Sequence, residues 1–118
     1  MGIRELIGEL LESEGYTVEL ASDGQRALER LRASSRRMVV LLDVMMPVLN
    51  GIQMLEIVAS DEALASRHGF VVMTASAMGA SDALLRLARQ FNAPVLTKPF
   101  AIETLLSSID DVAGRLRA

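Results

Sequence analysis

Three polar side chains follow short apolar runs, and their types suit phosphoryl chemistry. Asp43, Thr74 and Lys98 each come directly after such a run. A carboxylate can accept a phosphoryl group, while a hydroxyl and an ammonium group can bind phosphoryl oxygens. If the runs are parallel strands of one sheet, the three side chains converge at one edge, because ligands bind at the carboxyl ends of such strands. The sequence therefore predicts a phosphoryl-binding site at that edge.

Lys98 gives the strongest single signal of the three. It is the only lysine among 12 lysine and arginine residues, so the chain otherwise uses arginine for positive charge. A compact point charge in a tight pocket favours lysine, whereas solubility alone does not. The alternatives are an ordinary surface lysine at position 98 and a simple turn cap at Asp43. Taken together, the three residues indicate a site more specifically than any one of them.

The elements that must position these residues alternate along the chain. Apolar residues recur with a helical period in some segments and form short continuous or β-branched runs in others. The predicted helices cover residues 3–11, about 24–31, 52–58, 81–91 and 102–116, and the predicted strands cover 16–20, 38–42, 70–73 and 94–97. Strict alternation of this kind predicts an α/β fold with a parallel sheet and helices on both faces.

Composition excludes several classes of protein. With 118 residues, 51% of them hydrophobic, the chain is expected to form a single domain over residues 1–118. It has no cysteine, and one histidine, His68, cannot build a zinc site. A net charge of −3 disfavours nucleic acid and anionic membranes as partners, and no apolar run reaches the ~20 residues of a membrane span. We expect a cytoplasmic protein without an effector domain.

Charge is distributed unevenly in the first third of the chain. Acidic residues dominate positions 1–19, whereas arginine dominates positions 25–37. Two solvated helix faces that attract each other explain this pattern most simply. A surface that docks a protein partner is the alternative interpretation.

The order and spacing of several motifs resemble the response regulator receiver domain of two-component signalling. The motifs are Leu41-Leu42-Asp43-Val44-Met45-Met46-Pro47, Asn50-Gly51, Val72-Met73-Thr74-Ala75 and Leu96-Thr97-Lys98-Pro99-Phe100. Residues 3–16 and 21–28 match that family's first helix, second strand and second helix. The resemblance covers essentially the whole chain. It implies a flavodoxin-like or CheY-like fold, with three α-β-α layers around a parallel sheet.

The resemblance also implies a role in a phosphorelay. Asp43 would accept a phosphoryl group from a histidine kinase or phosphotransfer protein, Thr74 would bind a phosphoryl oxygen, and Lys98 would pair with the phosphoryl charge. Pro99 would follow Lys98 through a cis peptide bond, and Gly51 would fit the tight turn after Asp43. The output would pass to a protein partner, and the chain itself would not be an enzyme.

Two features of the sequence depart from the family's pattern. In the family, a strand that ends in two acidic residues precedes the first helix. This acidic pair holds Mg²⁺ together with the acceptor aspartate. In this sequence, Met1-Gly2 leads directly into Ile3. Asp43 alone offers one carboxylate, so we expect Mg²⁺ binding and phosphorylation both to be weakened. The switch position three residues before Lys98 is Val95, which lacks the aromatic ring that the family's usual switch requires.

The apparent truncation has consequences for the sheet and for function. The family's strand order is 2-1-3-4-5, so loss of the first strand removes the centre of the predicted sheet. The remaining edges could close onto each other, a neighbouring chain could insert an element, or residues 1–22 could pair across a dimer. We therefore expect a homodimer or a domain-swapped oligomer. A phosphorylation-independent interaction or assembly module and a truncated form of a standard receiver stay open as alternatives to a working phosphoacceptor.

A phosphatase of the haloacid dehalogenase type is excluded by one position. Such an enzyme also places an aspartate after a strand, but it needs a second aspartate two positions further on. Met45 stands there instead.

Overall fold

The computed structural model of the chain describes residues 2–46, 48–75 and 81–117. Within these ranges the chain forms helices that alternate with strands for most of its length. The helices are α1 (Ile3–Ser13), α2 (Gly24–Ala33), α3 (Gly51–Ala59), α4 (Glu62–Arg67), α5 (Asp82–Gln90) and α6 (Ile102–Arg117), and the strands are β1 (Val39–Asp43), β2 (Gly69–Thr74) and β3 (Val95–Thr97). None of the helices in the described part of the chain is both long and apolar enough to cross a membrane.

The three strands form one parallel sheet in the order β1-β2-β3. Asp43 pairs in register with Met73, and Thr74 pairs with Thr97, so the carboxyl ends of all three strands meet at one edge. Helices cover both faces of the sheet, which confirms the predicted α/β class. One core cluster joins the sheet to α2, α3, α4 and α5, and a second joins its other face to α1 and α6.

Side-chain caps fix where several helices begin. Asp23 accepts a hydrogen bond from the Arg26 amide at the start of α2, and Asn50 forms a reciprocal capping box with Gln53 at the start of α3. Gly15 follows α1 with a φ of 95°, a conformation that glycine adopts without strain. The predicted start of α2 and end of α1 are therefore confirmed.

The short helix α4 was not predicted from the sequence. It has six residues, and Leu64 is its one buried side chain. A single buried apolar residue produces no helical period, so the pattern that identifies longer helices is absent here. The cap does carry a signal, because Asp61 accepts a hydrogen bond from the Leu64 amide.

The prediction of a strand over residues 16–20 is wrong for this structure. The segment joins none of the strands in the described sheet, and the described strands therefore number three rather than the predicted four. Residues 16–20 do not pair with β1. Direct closure of the two sheet edges, one of the three arrangements expected from the sequence, therefore does not occur. A strand forms only when a neighbour completes its hydrogen bonds, and a β-branched sequence cannot supply that neighbour.

His68 lies beneath the amino end of the sheet and is 3% exposed. Its Nδ1 accepts a hydrogen bond from the Met38 amide at 3.0 Å. Its buried Nε2 has no hydrogen-bond partner of normal geometry within the described ranges. Burial lowers the pKa of His68 below its ordinary value of 6.5, although the backbone of Leu31 opposes part of this shift and the charge of Arg67 adds to it.

We expect the free energy of unfolding to fall as the pH drops below 6.5, because the unfolded chain then binds a proton that the folded chain excludes from His68. The decline is at most about 1.4 kcal/mol per pH unit and ends once the pH passes below the lowered pKa. Urea unfolding across a pH series measures it. His68→Asn keeps an acceptor for the Met38 amide and should remove this component, so parallel profiles for the two proteins would contradict the assignment.

Candidate functional site

Asp43 and Lys98 form an ion pair across the carboxyl edge of the sheet. Asp43 is the last residue of β1, and Lys98 directly follows β3. The Lys98 ammonium donates to Oδ2 of Asp43 at 2.6 Å, and the two side chains are 32% and 30% exposed. The sheet order places β2 between these strands, so the ion pair spans the end of the central strand. Both charges remain within reach of a ligand from solvent.

The second oxygen of the Asp43 carboxylate is held by the loop that follows. Oδ1 accepts a hydrogen bond from the Met45 amide at 3.0 Å. The Val44 amide in turn donates to the Met73 carbonyl at 3.0 Å, which ties the start of the loop to β2. Sequence reasoning missed this backbone donor, because an amide contributes the same chemistry whatever its side chain.

Gly51 allows α3 to begin directly against the Asp43 loop. Its amide donates to the Val44 carbonyl at 3.1 Å. A Cβ at this position would lie 2.9 Å from the Asp43 carbonyl oxygen and 2.9 Å from the Val44 Cα, closer than real Cβ atoms approach backbone. The predicted structural role of Gly51 in the turn thus has a steric basis. Pro47, which the sequence places in the same loop, lies outside the described residues.

Thr74 ends β2, between the strand ends that carry Asp43 and Lys98. Its carbonyl accepts a hydrogen bond from the Lys98 amide at 2.8 Å, which fixes the backbone of the lysine beside the central strand. The side chain is 2% exposed. Thr74 is therefore placed at the predicted edge, with its side chain buried.

The two remaining predicted positions lie on either side of Lys98. The Lys98–Pro99 peptide bond is cis, the geometry that the resemblance implies. Val95 begins β3 opposite Val72 and packs, half-buried, against the larger core cluster.

The loop after β1 exposes two large apolar side chains. Met45 is 78% exposed and Val48 is 80% exposed. Val48 also has a φ of 67°, in the left-handed region that a β-branched residue adopts only with strain. Exposed apolar surface beside a charged site is typical of a protein contact. The adjacent methionines in the sequence could have indicated this exposed surface. Nothing in the sequence indicated the strained backbone of Val48.

The described residues place no cluster of metal-ligating side chains around Asp43. Mg²⁺ favours near-octahedral coordination by oxygen, and protein sites supply it through one or more carboxylates. Within residues 2–46, 48–75 and 81–117, no group of three or more His, Cys, Asp or Glu side chains could hold a metal ion. Both oxygens of Asp43 already accept hydrogen bonds.

Comparisons with known proteins agree on one family. The response regulator receiver domain family matches residues 1–110. The response regulator MprA of Mycolicibacterium vanbaalenii is 38% identical over 98% of this chain and 52% of its own length. A CheY-like receiver domain protein from Methanospirillum hungatei superposes with a TM-score of 0.81 at 24% identity, over 98% of this chain and 88% of its own.

A further structural neighbour bears on the metal. The receiver domain of the sensor histidine kinase PA1611 from Pseudomonas aeruginosa is 26% identical, with a TM-score of 0.77 over 93% of this chain and 87% of its own. That domain was crystallised with a magnesium ion coordinated in its active site cleft.

The chain spans about half the length, or less, of the curated relatives that it matches. The part that matches the family is the α/β domain, over residues 1–110. With a family match over residues 1–110 and a CheY-like fold, the chain belongs to the response regulator receiver domain family of two-component signalling.

Proposed function

We propose that the domain carries signals in a phosphorelay, with Asp43 as the position that accepts the phosphoryl group. The observation that supports this most directly is the 2.6 Å contact between the Lys98 ammonium and Oδ2 of Asp43. It joins a nucleophilic carboxylate to a compact cation at a partly exposed edge, beside Thr74. The donor would be a histidine kinase or a phosphotransfer protein, and the module itself would carry a signal rather than act as an enzyme.

The transfer needs only groups that the site and the donor supply. A carboxylate oxygen of Asp43 attacks phosphorus, an O–P bond forms, and the N–P bond to the donor's imidazole breaks, with the electron pair leaving on nitrogen. The Lys98 ammonium, now bound to the carboxylate, can move its hydrogen bond to a phosphoryl oxygen and offset the added negative charge. Thr74 ends the adjoining strand, and its hydroxyl would bind a phosphoryl oxygen.

We further infer that Mg²⁺ binding is weak and that phosphorylation is correspondingly slow. Asp43 is the carboxylate of the site, and its two oxygens are already engaged by Lys98 and by the Met45 amide. Without further acidic ligands, charge that develops on the phosphoryl oxygens during transfer is offset by Lys98 alone. Val95 also lacks the ring of the family's usual switch, so a phosphorylated site would signal through another change.

A phosphorylation-independent interaction module is the second candidate. Two observations favour it: the poor fit to Mg²⁺, and the exposed apolar loop formed by Met45 and Val48 beside the site. Under this alternative the domain would act from the cytoplasm by contact with a protein partner, as a homodimer or a domain-swapped oligomer. The Asp43–Lys98 pair would then serve to hold the loop in place.

Intact mass distinguishes the two candidates. After incubation with Mg²⁺ and a small-molecule phosphodonor such as an acyl phosphate, we expect a slow gain of one phosphoryl group. Asp43→Asn should abolish it, because an amide oxygen is too weak a nucleophile. No adduct even at high donor concentration would favour the interaction module, and an adduct that persists in Asp43→Asn would place the acceptor elsewhere.

Two substitutions of Lys98 distinguish the contribution of its charge to phosphorylation from the contribution of its compact head group. We expect Lys98→Met to lower the yield of phosphorylated protein by about tenfold or more, since the charge-assisted contact to the phosphoryl oxygens is lost. Lys98→Arg keeps the charge but not the compact head group, so it should give an intermediate yield. Urea unfolding supplies the control. The ion pair is one-third exposed and its loss should change stability by no more than about 1 kcal/mol.

Calorimetric titration with magnesium chloride tests the weak metal site. We expect no saturation at millimolar Mg²⁺ and no measurable rise in the melting temperature, because a ligand stabilises a protein only near or above its dissociation constant. Asp43→Asn is the matched control and should give the same trace. Saturable binding to the natural sequence that disappears in Asp43→Asn would contradict the prediction.

A further inference from the structure

The uneven charge of the first third of the chain is only partly balanced within the structure. Among the described residues, one ion pair joins the acidic and basic segments, between Glu19 and Arg30 at 3.2 Å, and both side chains are about half exposed. Arg26 pairs instead with Asp23, the cap of its own helix. Attraction between the two segments therefore accounts for a single contact, and most of the arginines of positions 25–37 are left over.

Four of these and neighbouring arginines gather at the end of the molecule where the strands begin. They form what we call the arginine patch: Arg32, Arg36, Arg37 and Arg67. The first lies in the last turn of α2, and the next two follow in the loop before β1. Arg67 ends α4 and donates to the carbonyl of Ser34, the C-cap of α2. Arg37 donates to the Leu116 carbonyl in the last turn of α6 at 3.0 Å.

The ends of the helices explain part of this cluster. Carbonyl groups at a helix C-terminus carry partial negative charge and attract cations. Arg37 and Arg67 each give one N–H to such a carbonyl, whereas a guanidinium group carries about five N–H donors. The exposed side chains of Arg32 and Arg36 form no hydrogen bond or ion pair with any residue in the described ranges. The arginine patch therefore keeps donors and positive charge beyond what the helix ends use.

An acidic row near the end of α1 has the opposite imbalance. Its members Glu9, Glu12 and Glu14 are exposed, and none of them forms an ion pair within the part of the chain that the structure describes. Glu12 lies in the last turn of α1 and Glu14 is its C-cap, where the helix dipole disfavours carboxylates. That turn contains no basic residue. These acids gain stability only from positive charge that reaches them from elsewhere.

The acidic row and the arginine patch lie at the same end of the molecule. Near the start of α1, Arg4 reaches the carbonyl of Ala21 at 3.4 Å, shortly before α2. Gly24 begins α2 so close to the loop after Asp43 that a Cβ would lie 2.0 Å from the Leu49 carbonyl oxygen. Both helices therefore begin near the carboxyl edge of the sheet, and both end near its amino edge.

We propose that the arginine patch binds the acidic row of a second copy of this chain. A twofold rotation that brings two amino edges together places the acidic row of each copy on the arginine patch of the other, so both contacts form at once. Guanidinium groups and carboxylates form paired, charge-assisted hydrogen bonds, which arginine supports better than lysine. The contact uses no residue of the phosphoryl site, so it is separable from phosphorylation of Asp43.

Nucleic acid and anionic membranes match the arginine patch less well. The four arginines contribute +4 to a net charge of −3, which leaves −7 on the rest of the chain. A polyanion extends beyond the patch and meets this negative remainder as well. A second copy instead confines its acids to the end of one helix and carries the matching arginines on the same surface. Because the contact consists of exposed charges, salt should weaken it.

The test measures self-association of the 118-residue chain without Mg²⁺ or a phosphodonor. In low salt, we expect the weight-average mass from light scattering to rise toward that of a dimer as the protein concentration increases. Arg36→Glu should weaken the association at least about tenfold, because it places like charges opposite each other. Arg86→Glu is the matched control. It changes the net charge equally at an exposed position in the middle of α5, and it should alter the association by less than about twofold.

An exchange of charges between two variants identifies the contact itself. Glu12→Arg alone should weaken the association as much as Arg36→Glu does. An equimolar mixture of the two variants should associate like the natural chain, because each charge then meets its opposite on the other chain. Both positions are exposed, and circular dichroism with urea unfolding checks that both variants are folded.

Three outcomes would overturn the proposal: a chain that stays monomeric in low salt, a dimer that is insensitive to salt or to Arg36→Glu, and a mixture of the two variants that does not associate. A polyglutamate peptide is titrated in parallel. A monomer that binds this peptide through Arg36 would assign the arginine patch to a different protein, and it would overturn the second copy as the occupant.

Discussion

The central strand β2 is the constraint on which the site depends. It is buried along its whole length and pairs on both sides, so the register of β1 and of β3 is set against the same six residues. That register brings Asp43 and Lys98 to opposite sides of one strand end, where their side chains meet at 2.6 Å. A shift by one residue in either pairing would turn one of the two charges to the other face of the sheet.

Local patterns predicted the parts of the fold that depend on local interactions. Helix starts were predictable from caps such as Asp23, and the buried central strand was predictable from the continuous apolar run of β2. The segment 16–20 shows where this reasoning stops. Its sequence favours a strand, but strand formation depends on a neighbour elsewhere in space, and a segment without one forms no ladder. Strand propensity is a property of a single residue, whereas strand pairing depends on two segments of the chain.

Predictions for the site show the same contrast between what residue type reveals and what it does not. Side-chain chemistry at strand ends predicted Asp43, Thr74 and Lys98 as site residues, because residue type is visible in the sequence. The Met45 amide that holds Asp43 and the positive φ of Val48 were not predictable, because backbone donors and backbone strain leave no mark on residue type. Gly51 did indicate a backbone constraint in the sequence, since a Cβ would not fit where the Asp43 loop approaches.

Asp43 belongs both to the site and to the open edge of the sheet. It ends β1, whose outer side pairs with no described strand, and it forms the ion pair with Lys98. The contact between Asp43 and Lys98 therefore ties the carboxyl end of this edge strand to the residue that follows β3, across the end of the buried central strand.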